Sequence, residues 1–222
     1  MMTTNKLTKT FASGSLAIGV LAGSVFAATS ASAAGILTWA QWTGTSTTLG
    51  TPLTAGDKKV TFVPVGGNYN PIGAEAGDEV SLMLIGDEYD FVYDAVTAAA
   101  PTPNSNSGSF TYTIEVVPTS PNFLTAVALD SDVTTTYGTV TKTFAEIPNV
   151  LVSVNGSSDP AIGVYPIAPI KKLTVTDTLA ANPGEALFTL NNAYKQTPEP
   201  GTILGLLAVG GLGMVSRFKK QK

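Results

Sequence analysis

The side chains that most enzymes use for acid–base and nucleophilic chemistry are missing from this chain of 222 residues, which contains no histidine and no cysteine. Histidine is the commonest general base at neutral pH, and cysteine provides thiol nucleophiles and zinc–thiolate sites. The remaining option is carboxylate chemistry. Two carboxylates across a cleft can hydrolyse a glycosidic bond, and several together can bind calcium.

The densest group of carboxylates lies between residues 87 and 94 and includes Asp87, Glu88, Asp90 and Asp94. Its spacing differs from the EF-hand and from calcium-binding repeats. The preceding glycine favours a turn at Asp87, so we expect Glu88, Asp90 and Asp94 on a solvated strand face, opposite the aromatic residues between them. A calcium site at Asp87, Glu88 and Asp90 and a glycosidase pair are the alternative interpretations.

Two other short motifs are typical of ligand binding but have a simpler interpretation. Asp130-Ser131-Asp132 resembles half a calcium loop, yet it equally fits an Asx turn between strands, which we favour. Trp39 and Trp42 could stack on sugar rings. Because residues three apart in a strand point to opposite faces, we expect one tryptophan in the core and the other on the sheet surface.

Strands of antiparallel sheet must position these residues. In Phe110–Val116 the apolar residues alternate with threonine and glutamate, and Leu173–Thr176 repeats this period of two, which is typical of half-buried strands. The sequence predicts an all-β fold, an antiparallel β-sandwich of eight to ten strands that is immunoglobulin-like or a jelly roll. The predicted strands are 36–42, 58–65, 80–85, 89–96, 109–117, 123–129, 139–144, 150–154, 172–178 and 186–191.

The N-terminus has the layout of a secretory signal. Lys6 and Lys9 are followed by an apolar stretch, 11–28, and Ala31-Ser32-Ala33 provides a cleavage site before Ala34. We therefore expect residues 1–33 to form a signal helix that signal peptidase removes. An uncleaved anchor is the alternative, but no long apolar helix follows.

The C-terminus carries a second apolar segment, from residue 202 to 216. Its length corresponds to about 22 Å as a helix, which is short of the ~30 Å hydrocarbon core of a bilayer. The segment ends in a basic cluster that favours a cytoplasmic C-terminus. These features predict a short transmembrane helix and a single-pass inner-membrane intermediate. The basic residues that stop the membrane segment are Arg217, Lys219, Lys220 and Lys222.

The triplet Pro198-Glu199-Pro200, the apolar segment and the basic end together resemble a PEP-CTERM sorting signal, the tail of exosortase substrates. The resemblance covers about the last 25 residues. It implies recognition near Pro198, Glu199 and Pro200 by a membrane-embedded cysteine transpeptidase-like enzyme. It also implies release or transfer to the cell surface or to an exopolysaccharide matrix. An ordinary tail anchor is the alternative.

The predicted organisation is a signal peptide at 1–33, a β domain at 34–191, a short polar linker at 192–197 and the sorting segment at 198–222. Processing would remove the signal peptide and the sorting segment. Six basic and fifteen acidic residues would remain, a formal charge of −9. Such an acidic body argues against nucleic acid as a partner. We expect no cofactor and a non-enzymatic surface or matrix protein. A carbohydrate-binding module for exopolysaccharide is the alternative, and a hydrolase is the third hypothesis.

Overall fold

A computed structural model describes residues 35–97 and 105–198. These residues form twelve strands, one short α-helix and one 3-10 turn. No helix in these two ranges is long and apolar enough to cross a membrane. The predicted signal helix and transmembrane helix lie outside the described residues. The elements are β1 (Gly35–Thr38), α1 (Trp39–Thr43), β2 (Leu53–Ala55), β3 (Lys58–Val63), the 3-10 turn (Val65–Gly67), β4 (Glu79–Ile85), β5 (Glu88–Asp94), β6 (Gly108–Val116), β7 (Asn122–Val133), β8 (Gly138–Phe144), β9 (Val150–Val154), β10 (Tyr165–Ile170), β11 (Lys172–Ala181) and β12 (Leu187–Pro198).

The strands form two six-stranded sheets. Sheet I has the order β1-β4-β5-β12-β7-β10, and sheet II has the order β2-β3-β6-β11-β8-β9. Every neighbouring pair is antiparallel. The prediction of an all-β, antiparallel fold is confirmed.

The last eight strands pair in a nested order. β8 pairs with β9, β7 with β10, β6 with β11 and β5 with β12. Strands β5 to β8 are therefore paired, in reverse order, with strands β9 to β12. Successive pairs alternate between sheet II and sheet I, which places the first and last strands of the series, β5 and β12, side by side near the middle of sheet I.

The inner faces of the two sheets share one core. Because alternate side chains in a strand point the same way, the apolar positions of β5 and β6 face each other. The rings of Phe91 in sheet I and Tyr112 in sheet II have centroids 4.6 Å apart. This face-to-face contact is typical of sandwich-like packing, in which each sheet keeps one face for solvent.

Nine of the ten predicted strands correspond to observed strands with shifts at their ends, while β2 and β10 were not predicted. The sequence of β10 contains Pro166 and Pro169, which cannot donate to a sheet ladder and argue against a strand. The strand is possible because it lies at the edge of sheet I, where it pairs only with β7 and its register shifts after Pro166.

The tenth predicted strand, 36–42, is wrong in its second half, because the chain turns into α1 at Trp39. Thr38 caps this helix: its hydroxyl accepts from the Gln41 amide at 3.2 Å, and the Gln41 side chain accepts from the Thr38 amide at 2.9 Å. On a helix, residues three apart share a face. Trp39 and Trp42 are consequently both buried, with ring centroids 5.4 Å apart.

The predicted linker at 192–197 is also wrong, since these residues form the second half of β12. Polar residues at inward positions gave the stretch its linker-like composition. Asn192 is buried, and its side-chain amide donates to Asp177 at 3.0 Å. The hydroxyl of Tyr194, which is also buried, shares a hydrogen bond with that of Tyr112 at 2.6 Å. Hydrogen-bonded polar groups can be buried at little cost, so the strand continues to Pro198.

Candidate functional site

The sorting triplet begins at the end of β12. Pro198 is the last residue of the strand and is exposed. Glu199 and Pro200 lie outside the described residues. The basic residues Arg217, Lys219, Lys220 and Lys222 and the signal cleavage residues Ala31, Ala33 and Ala34 also lie outside them.

The last residues of β12 are paired with β7. Gln196, Thr197 and Pro198 lie opposite Leu124, Phe123 and Asn122, respectively. The Gln196 amide also donates to the carbonyl of Asp87 at 3.0 Å. Backbone pairing therefore holds the chain up to the first proline of the triplet.

A hydrogen-bonded group of side chains fixes this end of the strand. The Asp57 carboxylate accepts from the hydroxyl of Tyr89 at 2.9 Å, from the Asn122 amide at 2.8 Å, from Ser120 and from Lys58. The Lys58 ammonium also donates to the side-chain oxygen of Gln196 at 2.5 Å. We call this group the Asp57 cluster; its members are Asp57, Lys58, Tyr89, Ser120, Asn122 and Gln196.

Hydrogen bonds within the Asp57 cluster favour the charged forms of Asp57 and Lys58, as the pKa values of both groups show. Burial raises the pKa of Asp57, but hydrogen bonds from Lys58, Ser120 and Asn122 outweigh it and lower the pKa to about 2. Burial lowers the pKa of Lys58, and the hydrogen bond to Asp57 opposes this shift. The cluster is therefore a partly buried ion pair with hydrogen-bond partners on both ions, as burial of charge requires.

Lys171, the residue between β10 and β11, contacts the same end of β7. Its ammonium donates to the carbonyls of Ser120 and Asn122 at 2.8 and 2.7 Å. It also lies 3.9 Å from the centre of the Phe123 ring, within the range of a cation–π contact. The partner strand of Thr197 and Pro198 is thus itself tied to the body.

The acidic stretch at 87–94 agrees only in part with the predicted turn and solvated strand face. The turn at Asp87 between β4 and β5 is confirmed, and Glu88 and Asp94 are half-exposed. Asp90 was expected on the solvated face, but it is buried, with 8% of its surface exposed. Asp87 forms an ion pair with Lys195 at 3.2 Å.

A depression of about 210 Å³ is lined by Ala128 and Ala193, which lie opposite each other in sheet I, and Ala193 also lies opposite Asp90 of β5. Glu88, Asp130 and Asn191 are among its lining residues, and part of the loop 158–163 also lines it. No group of three or more acidic side chains in 35–97 and 105–198 is placed to hold a metal ion. The calcium hypothesis for Asp87, Glu88 and Asp90 therefore gains no support from their positions.

Replacing Asp90 with asparagine is expected to stabilise the protein at pH 7 by about 1–2 kcal/mol. Burial, with the charge of Glu88, raises the pKa of Asp90 to about 6. The carboxyl of the unfolded chain ionises near its ordinary pKa of 3.8, so stability falls as the pH rises from there to about 6, and the loss remains at pH 7. Urea unfolding at pH 3.5 and pH 7 measures the effect. An equal gain at both pH values would contradict this assignment.

The motif Asp130-Ser131-Asp132 does not form the expected turn, because it lies within β7. Ser131 points inward and shares a hydrogen bond with Ser153 of β9 at 2.8 Å, while Asp130 accepts from Ser158 at 3.0 Å. The flanking aspartates point outward, as alternation in a strand requires. The motif therefore links β7 of sheet I to β9, the edge strand of sheet II.

Sequence analysis missed a polar cluster inside the core. Lys142 of β8 lies opposite Asp177 of β11, and both side chains are fully buried. The Lys142 ammonium donates to the carbonyl of Ala128 at 2.8 Å and lies 4.5 Å from the centre of the Tyr194 ring. Burial lowers the pKa of Lys142 and raises that of Asp177, and the attraction between the two opposes both shifts. The sequence did contain a signal for this cluster, because both residues occupy inward positions in strands whose burial alternates.

The end of β12 and the tail after it belong to a known sequence motif. Residues 196–220 match the family model of the PEP-CTERM protein-sorting motif. The chain carries a PEP-CTERM sorting motif. This confirms the resemblance seen in the sequence. The motif marks an exported protein that an exosortase-type enzyme processes at the membrane. No curated protein and no solved structure matches the chain.

The match begins at Gln196, which belongs to the Asp57 cluster. The PEP-CTERM motif therefore starts inside the folded body, two residues before the proline that ends β12. A separate linker does not precede it. The first residue of the triplet, Pro198, therefore lies at the end of a central strand of sheet I.

Proposed function

We propose that this chain is a non-enzymatic surface or extracellular-matrix protein whose acidic β body is displayed after PEP-CTERM processing. Signal peptidase removes residues 1–33, and the C-terminal segment holds a single-pass intermediate in the inner membrane with its C-terminus in the cytoplasm. The exosortase-type enzyme then acts near Pro198, Glu199 and Pro200. The body is released or transferred to the surface or matrix.

The observation that carries this proposal is the PEP-CTERM match at the end of a complete β body. The non-enzymatic role is supported by composition, since the chain contains no histidine and no cysteine. The formal charge of −9 expected for the processed body favours solubility and disfavours nucleic acid. Neither the composition nor the fold requires a cofactor.

The triple replacement of Pro198, Glu199 and Pro200 with alanine is expected to block processing in a host that contains the exosortase-type enzyme. Intact mass spectrometry and cell fractionation should show the unprocessed mass in the membrane fraction. Replacement of Pro101, Thr102 and Pro103 with alanine is the matched control and should be processed like the wild type. Identical mass and location for the triplet variant and the wild type would contradict the proposal.

A carbohydrate-binding role for the body is the second candidate. The nested pairing of β5–β12 supports assigning the body to the jelly-roll class rather than the immunoglobulin-like class, and lectin domains are among the proteins built on jelly rolls. Fold alone does not establish function. The sugar platform at Trp39 and Trp42 is excluded because both rings are buried. A carbohydrate site must lie elsewhere on the body.

A further inference from the structure

The outer face of sheet II carries a regular array of hydroxyl groups. Three neighbouring strands, β6, β11 and β8, each contribute three consecutive outward positions, and all nine are serine or threonine. Their side chains are half-exposed or exposed. We call this array the hydroxyl field; its members are Ser109, Thr111, Thr113, Thr174, Thr176, Thr178, Thr139, Thr141 and Thr143.

Cross-strand pairing arranges the hydroxyl field in rows. Thr111 lies opposite Thr176, and Thr176 opposite Thr143. The hydroxyls of Thr111 and Thr176 share a hydrogen bond at 2.9 Å, and those of Ser109 and Thr178 share one at 2.8 Å. Neighbouring strands lie about 4.8 Å apart, and alternate residues along a strand about 6.7 Å apart. The face therefore repeats donors, acceptors and methyl groups in two dimensions.

An apolar stripe on β9 extends the hydroxyl field. Val150, Val152 and Val154 point outward and are 57%, 37% and 50% exposed. Val150 lies opposite Thr143, and Val152 opposite Thr141, so the valines continue the rows. Valine favours the strand itself, but three exposed valines in one row also form a contiguous apolar stripe, a feature that contact surfaces share.

The edge of β9 itself is closed to strand addition. The amide of Val152 donates to the Asp159 carboxylate at 2.6 Å, and that of Val154 donates to the Ser157 hydroxyl at 2.8 Å. Side chains thus occupy donors that an added strand would need, which is a known protection against edge-to-edge pairing. A partner can therefore contact the outward-facing side chains of the valine stripe and the hydroxyl field, but cannot pair with the edge of β9.

The hydroxyl field is uncharged although the body is strongly acidic. Charged residues border it at one end, where Lys59 forms an ion pair with Glu115 and where Glu146 accepts from the Thr174 hydroxyl at 2.8 Å. An anionic polymer would be repelled by the body as a whole. A neutral partner suits this face, because no charge has to be desolvated when the two surfaces meet.

The hydroxyl field and the start of the sorting motif lie on different sheets. The described chain ends at Pro198 in sheet I, whereas the hydroxyl field lies on the outer face of sheet II.

We propose that the hydroxyl field and the valine stripe bind a neutral, hydroxyl-rich polysaccharide, an inference that rests on the proposed surface or matrix role. Sugar hydroxyls exchange hydrogen bonds with the serine and threonine hydroxyls, and sugar C–H groups pack on the threonine methyls and the valines. Sheet strands twist by roughly 20–25° relative to each other, so the face is curved. A soluble, flexible chain can follow this curvature, whereas a flat crystalline surface cannot.

The test uses the full chain purified in detergent, so that binding is measured independently of sorting. Affinity electrophoresis in gels containing hydroxyethyl cellulose, dextran or galactomannan gives the dissociation constant, and alginate is the anionic control. Thr111→Val with Thr176→Val removes two hydroxyls from the centre of the field while keeping shape and β propensity. About a tenfold loss of affinity is expected, because two hydroxyls that can hydrogen-bond to the sugar are removed.

Two further variants separate the site from general effects. Thr125→Val with Thr189→Val changes the same number of threonines in sheet I and should leave binding unchanged. Thr141→Arg places a bulky, charged side chain within the field, directly opposite Val152, and should abolish binding even if the valine substitutions are tolerated. Thermal unfolding confirms that each variant is folded.

Three results would overturn the inference. They are no retardation of the wild type by any of the three neutral polymers, stronger retardation by alginate, and equal losses in the sheet I and sheet II variants. The proposed function is judged separately by the mass of the processed product. Normal processing without polysaccharide binding would refute this inference and leave the sorting role intact.

Discussion

Replacing Asp177 with alanine is expected to lower the free energy of unfolding by about 3–5 kcal/mol, a large part of the 5–15 kcal/mol typical of a domain. The change would leave the Lys142 ammonium in the core without its opposing charge. Asn192 would lose its acceptor at the same time. A buried polar group without a partner costs more than the original hydrogen bond contributed.

Asp132→Ala is the control for the Asp177 substitution. Asp132 lies on β7 but points outward and is exposed, so its loss should change the free energy of unfolding by less than about 0.5 kcal/mol. Urea unfolding of both variants at pH 7 measures the difference. A loss of less than about 1 kcal/mol for Asp177→Ala would show that Lys142 is not held by this carboxylate.

The double variant Lys142→Met with Asp177→Asn separates pairing from packing. Methionine fills the space of the lysine stem, and asparagine can still accept from Asn192. Removing both charges avoids an isolated ion, so the double variant should recover most of the stability lost by Asp177→Ala and can exceed the wild type. If the double variant were as unstable as the single one, packing rather than charge would explain the loss.

The strands were predictable wherever polarity alternated with burial. Phe110–Val116 lies in β6, as the alternating pattern predicted, and the sorting tail was recognised from its own residues. β10 was missed because its prolines argue against a central strand, and only an edge position makes them acceptable. The position of a strand within a sheet depends on pairing with distant residues, which local sequence does not encode.

Tertiary contacts decided the remaining differences at the candidate site. Asn192, Tyr194 and Gln196 appear as a polar linker, because their burial depends on partners far away in sequence, Asp177, Tyr112 and Lys58. The reversal at Trp39 had a local signal, the Thr38 and Gln41 capping box, that strand periodicity concealed. The sequence therefore predicted the sorting motif but not its direct attachment to the central strand.

A chain that ends at Pro198 is expected to fold, whereas a chain that ends at Thr189 is not. β12 lies between β5 and β7 in sheet I, and it supplies Leu190 and Tyr194 to the core. Loss of these two buried side chains alone costs about 5–10 kcal/mol, which is comparable to the whole stability of a typical domain. Circular dichroism and thermal unfolding of the two truncated chains measure this directly.

An intermediate truncation at Tyr194 tests the Asp57 cluster at the start of the PEP-CTERM motif. It keeps the core residues of β12 but removes the hydrogen bond between Lys58 and Gln196, as well as the pairing of Pro198 with Asn122. The melting temperature should fall by several degrees, since 1 kcal/mol corresponds to roughly 2–4 °C in a domain of this size. Cleavage after Pro198 would keep the Asp57 cluster intact, whereas cleavage before Gln196 would remove one of its members. A Tyr194 truncation with the same melting temperature as the chain that ends at Pro198 would contradict the stabilising role of the cluster.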